Sequence, residues 1–136
     1  MKYRRLKGYK YQLVETEFYQ LPGIFDGFNI NTNFIGLNNG ILTIESDYAW
    51  DGPSGPTIDT KTFMRGSLVH DALYQLVRAK ELPESFRKEA DRVLRDICRE
   101  DGMGRLRAWY VYTCVRFGGS GGIKPRKEVM EEILEA

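Results

Sequence analysis

The sequence predicts an α+β fold, in which a small N-terminal antiparallel sheet is followed by a helical hairpin and two further helices. Two observations lead to this prediction. The period of the apolar residues changes once, near Pro53, from the alternation of strands to the three- and four-residue spacing of helices. The tripeptide Asn38-Asn39-Gly40 is typical of a hairpin turn, because Asn and Gly both accept a positive φ angle.

Three stretches before Pro53 are the predicted strands. They cover residues 9–19, 28–35 and 40–44, and they mix Tyr, Val, Thr, Ile and Phe with polar residues. Leu21-Pro22-Gly23 separates the first two stretches, since Pro and Gly favour turns. The first third of the chain is therefore expected to form short hairpins.

Four helices are expected after residue 58. Asp59 or Thr60 can cap the first, which is expected to reach Lys80 before the break at residues 82–85. The second is expected to end near Glu100, ahead of Asp101-Gly102. The last two are predicted over about residues 104–117, ended by Gly118-Gly119, and over a short amphipathic stretch that begins at Pro125.

Length and composition favour a single globular domain. The chain has 136 residues, of which 42% are hydrophobic, and its formal net charge of +1 excludes a disordered polyelectrolyte. We predict one domain over residues 1–118, mainly strands to residue 50 and helices from residue 59, then a Gly-rich joint and helix over 119–136. Nucleic acid is not an expected partner, and neither a signal peptide nor a transmembrane segment is recognised.

His70 and Asp91 are the first candidates for a functional site. They lie on opposite sides of the predicted break at residues 82–85, so antiparallel helices can bring them level. A carboxylate that holds one imidazole nitrogen as a donor leaves the other free as a base. Asp71 lies about 100° around the helix from His70 and is expected to face a neighbouring loop.

The loop that carries Asp51 is the natural neighbour for Asp71. Two carboxylates, together with backbone carbonyls made accessible by Gly52 and Gly55, would supply the hard oxygen ligands that suit Ca²⁺. A purely structural interpretation stays open, because Asp, Gly, Pro and Ser are ordinary turn residues and a His between helices is commonly a satisfied core group.

Several other side chains are expected to have structural roles. The residues Cys98, Cys114, Trp109, Tyr110 and Tyr112 are predicted to lie in the core. A basic flank on the second helix is expected to be solvated and partly paired with Asp96 and Glu100 at helical spacing; its members are Lys88, Arg92, Arg95 and Arg99. The alternative is a patch that binds anionic headgroups or nucleic acid.

Four segments in a fixed order carry a family resemblance, namely Tyr48–Pro56, His70–Tyr74, Arg87–Asp91 and Tyr112–Gly118. They are similar to a Phe-x-Thr-Asp-Phe-Ala-Ser-Val-Pro-like segment followed by His-Asp-x-Leu-Tyr, Arg-x-x-Ala-Asp and Tyr-x-x-Val-Arg-x-Phe-Gly. Together they resemble a phage and prophage domain family of unknown function. The resemblance implies a phage-encoded protein in the virion or the host cytoplasm, with other phage proteins as partners if its role is structural.

The His-Asp-x-x-Tyr motif, placed 21 residues before Asp91, also resembles the site of phospholipase A₂. This second resemblance implies that His70 activates water, that Asp91 orients it and that Tyr74 supports Asp91. It also implies that Asp71 and Asp51 bind calcium, with Gly52 lending its backbone, and that phospholipid at a membrane surface is the substrate. Trp50 and Tyr48 would be the membrane contacts. The alternative is a non-catalytic phage structural or assembly protein, in which the same polar cluster braces the helices.

Overall fold

The computed structural model describes residues 1–6, 11–51 and 61–122, with side chains as far as residue 118. Strands precede helices along the chain, so the α+β prediction is confirmed. The chain divides into two units, here called the strand unit (Met1–Asp51) and the helical unit (Gly52–Ala136). The grouping of residues 1–118 into one domain stays a prediction.

The strand unit contains two antiparallel sheets. The described strands are β1 (Tyr3–Arg5), β2 (Tyr11–Leu13), β3 (Glu17–Gln20), β4 (Asn29–Asn31), β5 (Ile35–Asn38), β6 (Ile41–Ile44) and β7 (Ala49–Trp50). One sheet has the order β1-β2-β7 and the other the order β3-β6-β5-β4. A short 3₁₀ helix, Gly23–Phe25, follows the predicted break at Pro22.

The predicted hairpin turn joins β5 to β6. Asn39 and Gly40 have φ angles of 51° and 77°, the left-handed conformation that a two-residue hairpin loop of this kind requires. The positive φ angle of Gly40 is the conformation that favours glycine, and a Cβ atom there would also have to displace the exposed carboxylate of Asp26. The hairpin prediction is confirmed.

The single strand predicted over residues 28–35 is wrong. The chain turns within it, so β4 and β5 are two strands of a hairpin. The Thr32 hydroxyl donates to the carbonyl of Ile35 at 2.8 Å and accepts from the Ile35 amide at 3.2 Å. These local bonds close the turn, since a Thr side chain can replace a backbone partner.

The helical unit consists of α1 (Lys61–Arg78), α2 (Phe86–Glu100) and α3 (Arg105–Gly122). The predicted caps Asp59 and Thr60 and the predicted helix from Pro125 lie outside the described residues. Helix α3 continues through Gly118 and Gly119, so the predicted end at residue 117 is wrong. None of the described helices is both long enough and apolar enough to span a membrane.

Helices α1 and α2 approach closely at Gly66. A Cβ atom added there would lie 2.9 Å from Cys98 Sγ and 2.9 Å from Leu94 Cδ1. This close contact fixes how the two helices face each other, because core packing tolerates little displacement. The adjoining core cluster joins the helices through Phe63, Leu94, Cys98, Met103, Ala108 and Val111.

Only one side of α3 enters this core. Ala108 and Val111 are buried, whereas Trp109, Tyr110 and Cys114 are exposed. The prediction that Trp109, Tyr110 and Cys114 lie in the core is therefore wrong, while that for Cys98 is confirmed. The helix is apolar on both sides, so periodicity could not show which side is buried.

Candidate functional site

The helical hairpin brings His70 and Asp91 together, as their spacing predicted. His70 lies on α1 and Asp91 on α2, and His70 Nε2 is 2.7 Å from Asp91 Oδ1. Tyr74, one helical turn after His70, donates its hydroxyl proton to the same oxygen at 2.6 Å. The four-residue step on α1 places both side chains over one carboxylate.

Asp91 is completely buried and has a third partner from α3. Arg116 Nη1 donates to Asp91 Oδ2 at 2.9 Å. The carboxylate thus joins the three described helices, and each of its oxygens accepts a hydrogen bond. Burial of an ionised carboxylate requires such partners, because an unpaired charge in the interior carries a large desolvation penalty.

Sequence reasoning did not assign Arg116 to the site. The signal was its place in the Tyr112–Gly118 segment, the last of the four segments that carry the phage-family resemblance. Nothing in that segment pointed to Asp91, which lies 25 residues earlier on a different helix.

The hydrogen bonds around Asp91 determine which nitrogen of His70 can act as a base. An ionised Asp91 accepts from Nε2–H in the neutral imidazole, so the proton is assigned to Nε2 and Nδ1 keeps its lone pair. Nδ1 lies 4.0 Å from Asp71 Oδ1, beyond hydrogen-bonding distance. This tautomer is the one that a general-base histidine needs.

Tyr74 is held as a neutral hydrogen-bond donor. Burial raises the pKa of its phenol well above the ordinary value, and the hydrogen bond to Asp91 raises it further. Its ring also packs on the imidazole, with the centroids 4.1 Å apart. Tyr74 therefore restricts both the carboxylate and the ring of His70.

The predicted calcium ligands are only partly described. The Asp71 side chain is partly exposed beside His70, whereas Asp51 belongs to the strand unit and Gly52 lies outside the described residues. Within the described ranges, no three His, Cys, Asp or Glu side chains come together as a metal-binding group. Besides Asp91, Asp71 is a carboxylate of the described helical unit that lies beside the imidazole, on its Nδ1 side.

Tyr48 and Trp50 are buried, so their predicted role as membrane contacts is wrong. The ion pairs of the basic flank on α2 also differ from those expected. Arg95 pairs with the adjacent Asp96 at 3.3 Å, and Arg92 pairs at helical spacing with Glu89 at 2.9 Å. Glu100 pairs instead with Arg65 of α1 at 3.3 Å.

Fold and site together define an α+β protein whose helical hairpin buries a hydrogen-bonded His–Asp pair. Residues 44–115 match the family described as Protein of unknown function (DUF1353). Because the match covers more than half of the chain, the protein belongs to this family. No curated protein and no solved structure gives a significant match. The matched region contains His70, Tyr74 and Asp91, and it ends one residue before Arg116.

Proposed function

We propose that the protein is a phage-type, calcium-dependent hydrolase of phospholipid esters. The observation that supports this proposal is the 2.7 Å contact between His70 Nε2 and a buried carboxylate, which leaves Nδ1 as the basic nitrogen. The similarity of the His-Asp-x-x-Tyr segment to phospholipase A₂ suggests the substrate class. A phage-encoded enzyme of this kind would act from the virion or in the host cytoplasm.

The reaction would begin with water bound at His70 Nδ1. As the water oxygen attacks the ester carbonyl, Nδ1 takes the proton, and the imidazolium returns it to the departing alkoxide when the carbon–oxygen bond breaks. Asp91 would hold Nε2–H and stabilise the transient positive charge. Tyr74 would fix Asp91 through its hydroxyl.

Calcium fits the chemistry of the proposed ligands. Carboxylate and backbone carbonyl oxygens are the donors that Ca²⁺ prefers, and Asp71 lies beside the imidazole. We propose that Asp71 is a ligand of the ion, and the predicted ligands Asp51 and Gly52 stay predictions. When bound, the ion supplies Lewis-acid polarisation of the ester carbonyl and neutralises developing negative charge.

The decisive experiment measures fatty-acid release from phospholipid vesicles by the purified chain, with calcium and with a chelator. We expect release only with calcium, and loss of at least about 100-fold in the rate for His70→Gln, as for the removal of a general base. Asp91→Asn should reduce the rate, whereas Asp96→Asn, an exposed carboxylate on the same helix, should not. A rate of fatty-acid release that the chelator does not lower, or that is unchanged in His70→Gln, would contradict the proposal.

A second candidate function is a structural role in phage assembly, with other phage proteins as partners. The observation that favours it is the Arg116–Asp91 ion pair, because a carboxylate bonded to three helices braces their packing. If this is the function, wild-type protein should release no fatty acid and His70→Asn should lower the melting temperature. A catalytic residue commonly tolerates such a change or gains stability from it.

A further inference from the structure

The outer side of α3 carries a continuous set of exposed large apolar residues. Four residues, here called the outer stripe, have exposed fractions of 80%, 60%, 45% and 86%, in the order Leu106, Trp109, Tyr110 and Phe117. At about 100° per residue, they fall within roughly a third of the helix circumference, opposite the buried Ala108 and Val111. Soluble surfaces rarely expose such a contiguous apolar set without a binding role.

The charged residues that α3 itself contributes beside the outer stripe are all arginines. Between residues 105 and 118 the helix has three arginines, Arg105, Arg107 and Arg116, and no acidic residue. Arg105 and Arg107 are exposed at the N-terminal end of the stripe. The stripe therefore suits an apolar surface that also carries negative charge.

The composition of the outer stripe favours lipid over a protein partner. Trp and Tyr have an apolar ring with one polar tip, and they concentrate where hydrocarbon meets headgroups. Leu and Phe beside them, with arginines on the flanks, are typical of helices that lie in the plane of a membrane interface. Phe117 directly follows Arg116, which reaches the buried Asp91, so the stripe adjoins the candidate site.

We propose that the outer stripe of α3 binds the surface of a bilayer that contains anionic phospholipid. The stripe lies flat on the headgroups, with Leu106, Trp109 and Phe117 among the acyl chains and with Arg105 and Arg107 at the phosphates, while Arg116 stays bonded to Asp91. This membrane-binding proposal rests on the proposed hydrolase function only for the choice of lipid as the partner. Binding to the bilayer does not require that the protein hydrolyses the lipid.

Trp109 provides the probe for the test. Full-length protein is mixed, in the presence of chelator, with vesicles of phosphatidylglycerol and phosphatidylcholine. We expect a blue shift of the tryptophan emission, because Trp109 leaves water, whereas Trp50 is already buried in the protein. Quenching by lipids brominated on the acyl chains should accompany the shift. Vesicles of phosphatidylcholine alone should bind more weakly.

The matched variants locate the binding face. We expect the double variant Leu106→Gln, Phe117→Gln to bind the mixed vesicles at least about tenfold more weakly. Phe18→Gln, which removes a comparably exposed aromatic residue (68%) from β3, should bind as wild type does. Circular dichroism should show that all variants keep their helices.

Three results would overturn the lipid proposal. The first is no binding to any vesicle, and the second is equal binding by the double variant. The third is self-association of the wild type that the double variant abolishes, because the stripe would then be an interface between copies of this chain. Vesicle binding is measured in chelator, whereas fatty-acid release is measured separately with added calcium. Binding in the first measurement without release in the second would refute the proposed hydrolase and would still support the outer stripe as a membrane-binding surface.

Discussion

Both carboxylate oxygens of Asp91 accept hydrogen bonds from other side chains. Oδ1 accepts from His70 and Tyr74 at 2.7 and 2.6 Å, and Oδ2 accepts from Arg116 at 2.9 Å. An amide in its place would turn one acceptor into a donor that faces another donor, which costs the full desolvation penalty of the unsatisfied groups. Asp91 is therefore needed for packing as well as for orienting His70, and loss of activity in Asp91→Asn must be judged against its stability.

The pKa of Tyr74 gives a pH-dependent test at this residue. We expect Tyr74→Phe to lower the free energy of unfolding by about 1–3 kcal/mol at pH 7, since Asp91 loses a donor. The unfolded phenol ionises near pH 10, whereas burial keeps the folded one protonated, so the unfolded state binds fewer protons above pH 10. The difference in free energy of unfolding between wild type and Tyr74→Phe is thus complete below pH 10 and declines above it.

Urea unfolding of both proteins at pH 7, 9 and 10.5 measures this effect. The difference between wild type and Tyr74→Phe should be constant up to pH 9 and smaller at pH 10.5. Tyr3→Phe, at a partly exposed ring, serves as the control. A difference that does not change with pH would contradict the assigned environment of Tyr74.

At the scale of elements, the hairpin turn and the contact between α1 and α2 could be predicted from the sequence, whereas the turn at Thr32 and the contact of α3 could not. Asn39-Gly40 was recognised because a hairpin turn depends on the residues that form it. The turn at Thr32 was missed, since alternation of apolar residues continues across it. The ion pair of Arg116 depends on how α3 packs against α2, and no spacing along a single helix encodes that contact.

Gly66 in α1 and Gly118 in α3 provide a matched pair of substitutions that tests the close packing of α1 against α2. Gly66→Ala should lower the free energy of unfolding by about 1–3 kcal/mol, because its Cβ would press on Cys98 and Leu94 between α1 and α2. Gly118→Ala, in α3 with no atom within 4 Å of the added Cβ, should raise it by about 0.5–1 kcal/mol. Thermal unfolding of both variants compares the two effects, and stabilisation by Gly66→Ala would disprove the close contact.

At the scale of the whole molecule, the proposed ion should be visible without any substrate. If Asp71 binds calcium, millimolar Ca²⁺ should raise the melting temperature by a few degrees, through preferential binding to the folded state. Mg²⁺ should have a smaller effect, because it demands a tighter octahedral arrangement of ligands. The measurement is a thermal melt of wild type, Asp71→Asn and the control Asp96→Asn. A shift that persists in Asp71→Asn would rule out the assigned ligand.

The three-helix arrangement around Asp91 also constrains the order in which the chain can fold during translation. Arg116 follows Asp91 by 25 residues, so at about 5–20 residues per second it leaves the ribosome roughly 1–5 s later. Until then, Asp91 lacks the ion pair that Arg116 supplies in the described structure. Of the three side chains that bond to Asp91 there, Arg116 is therefore the last to become available during synthesis.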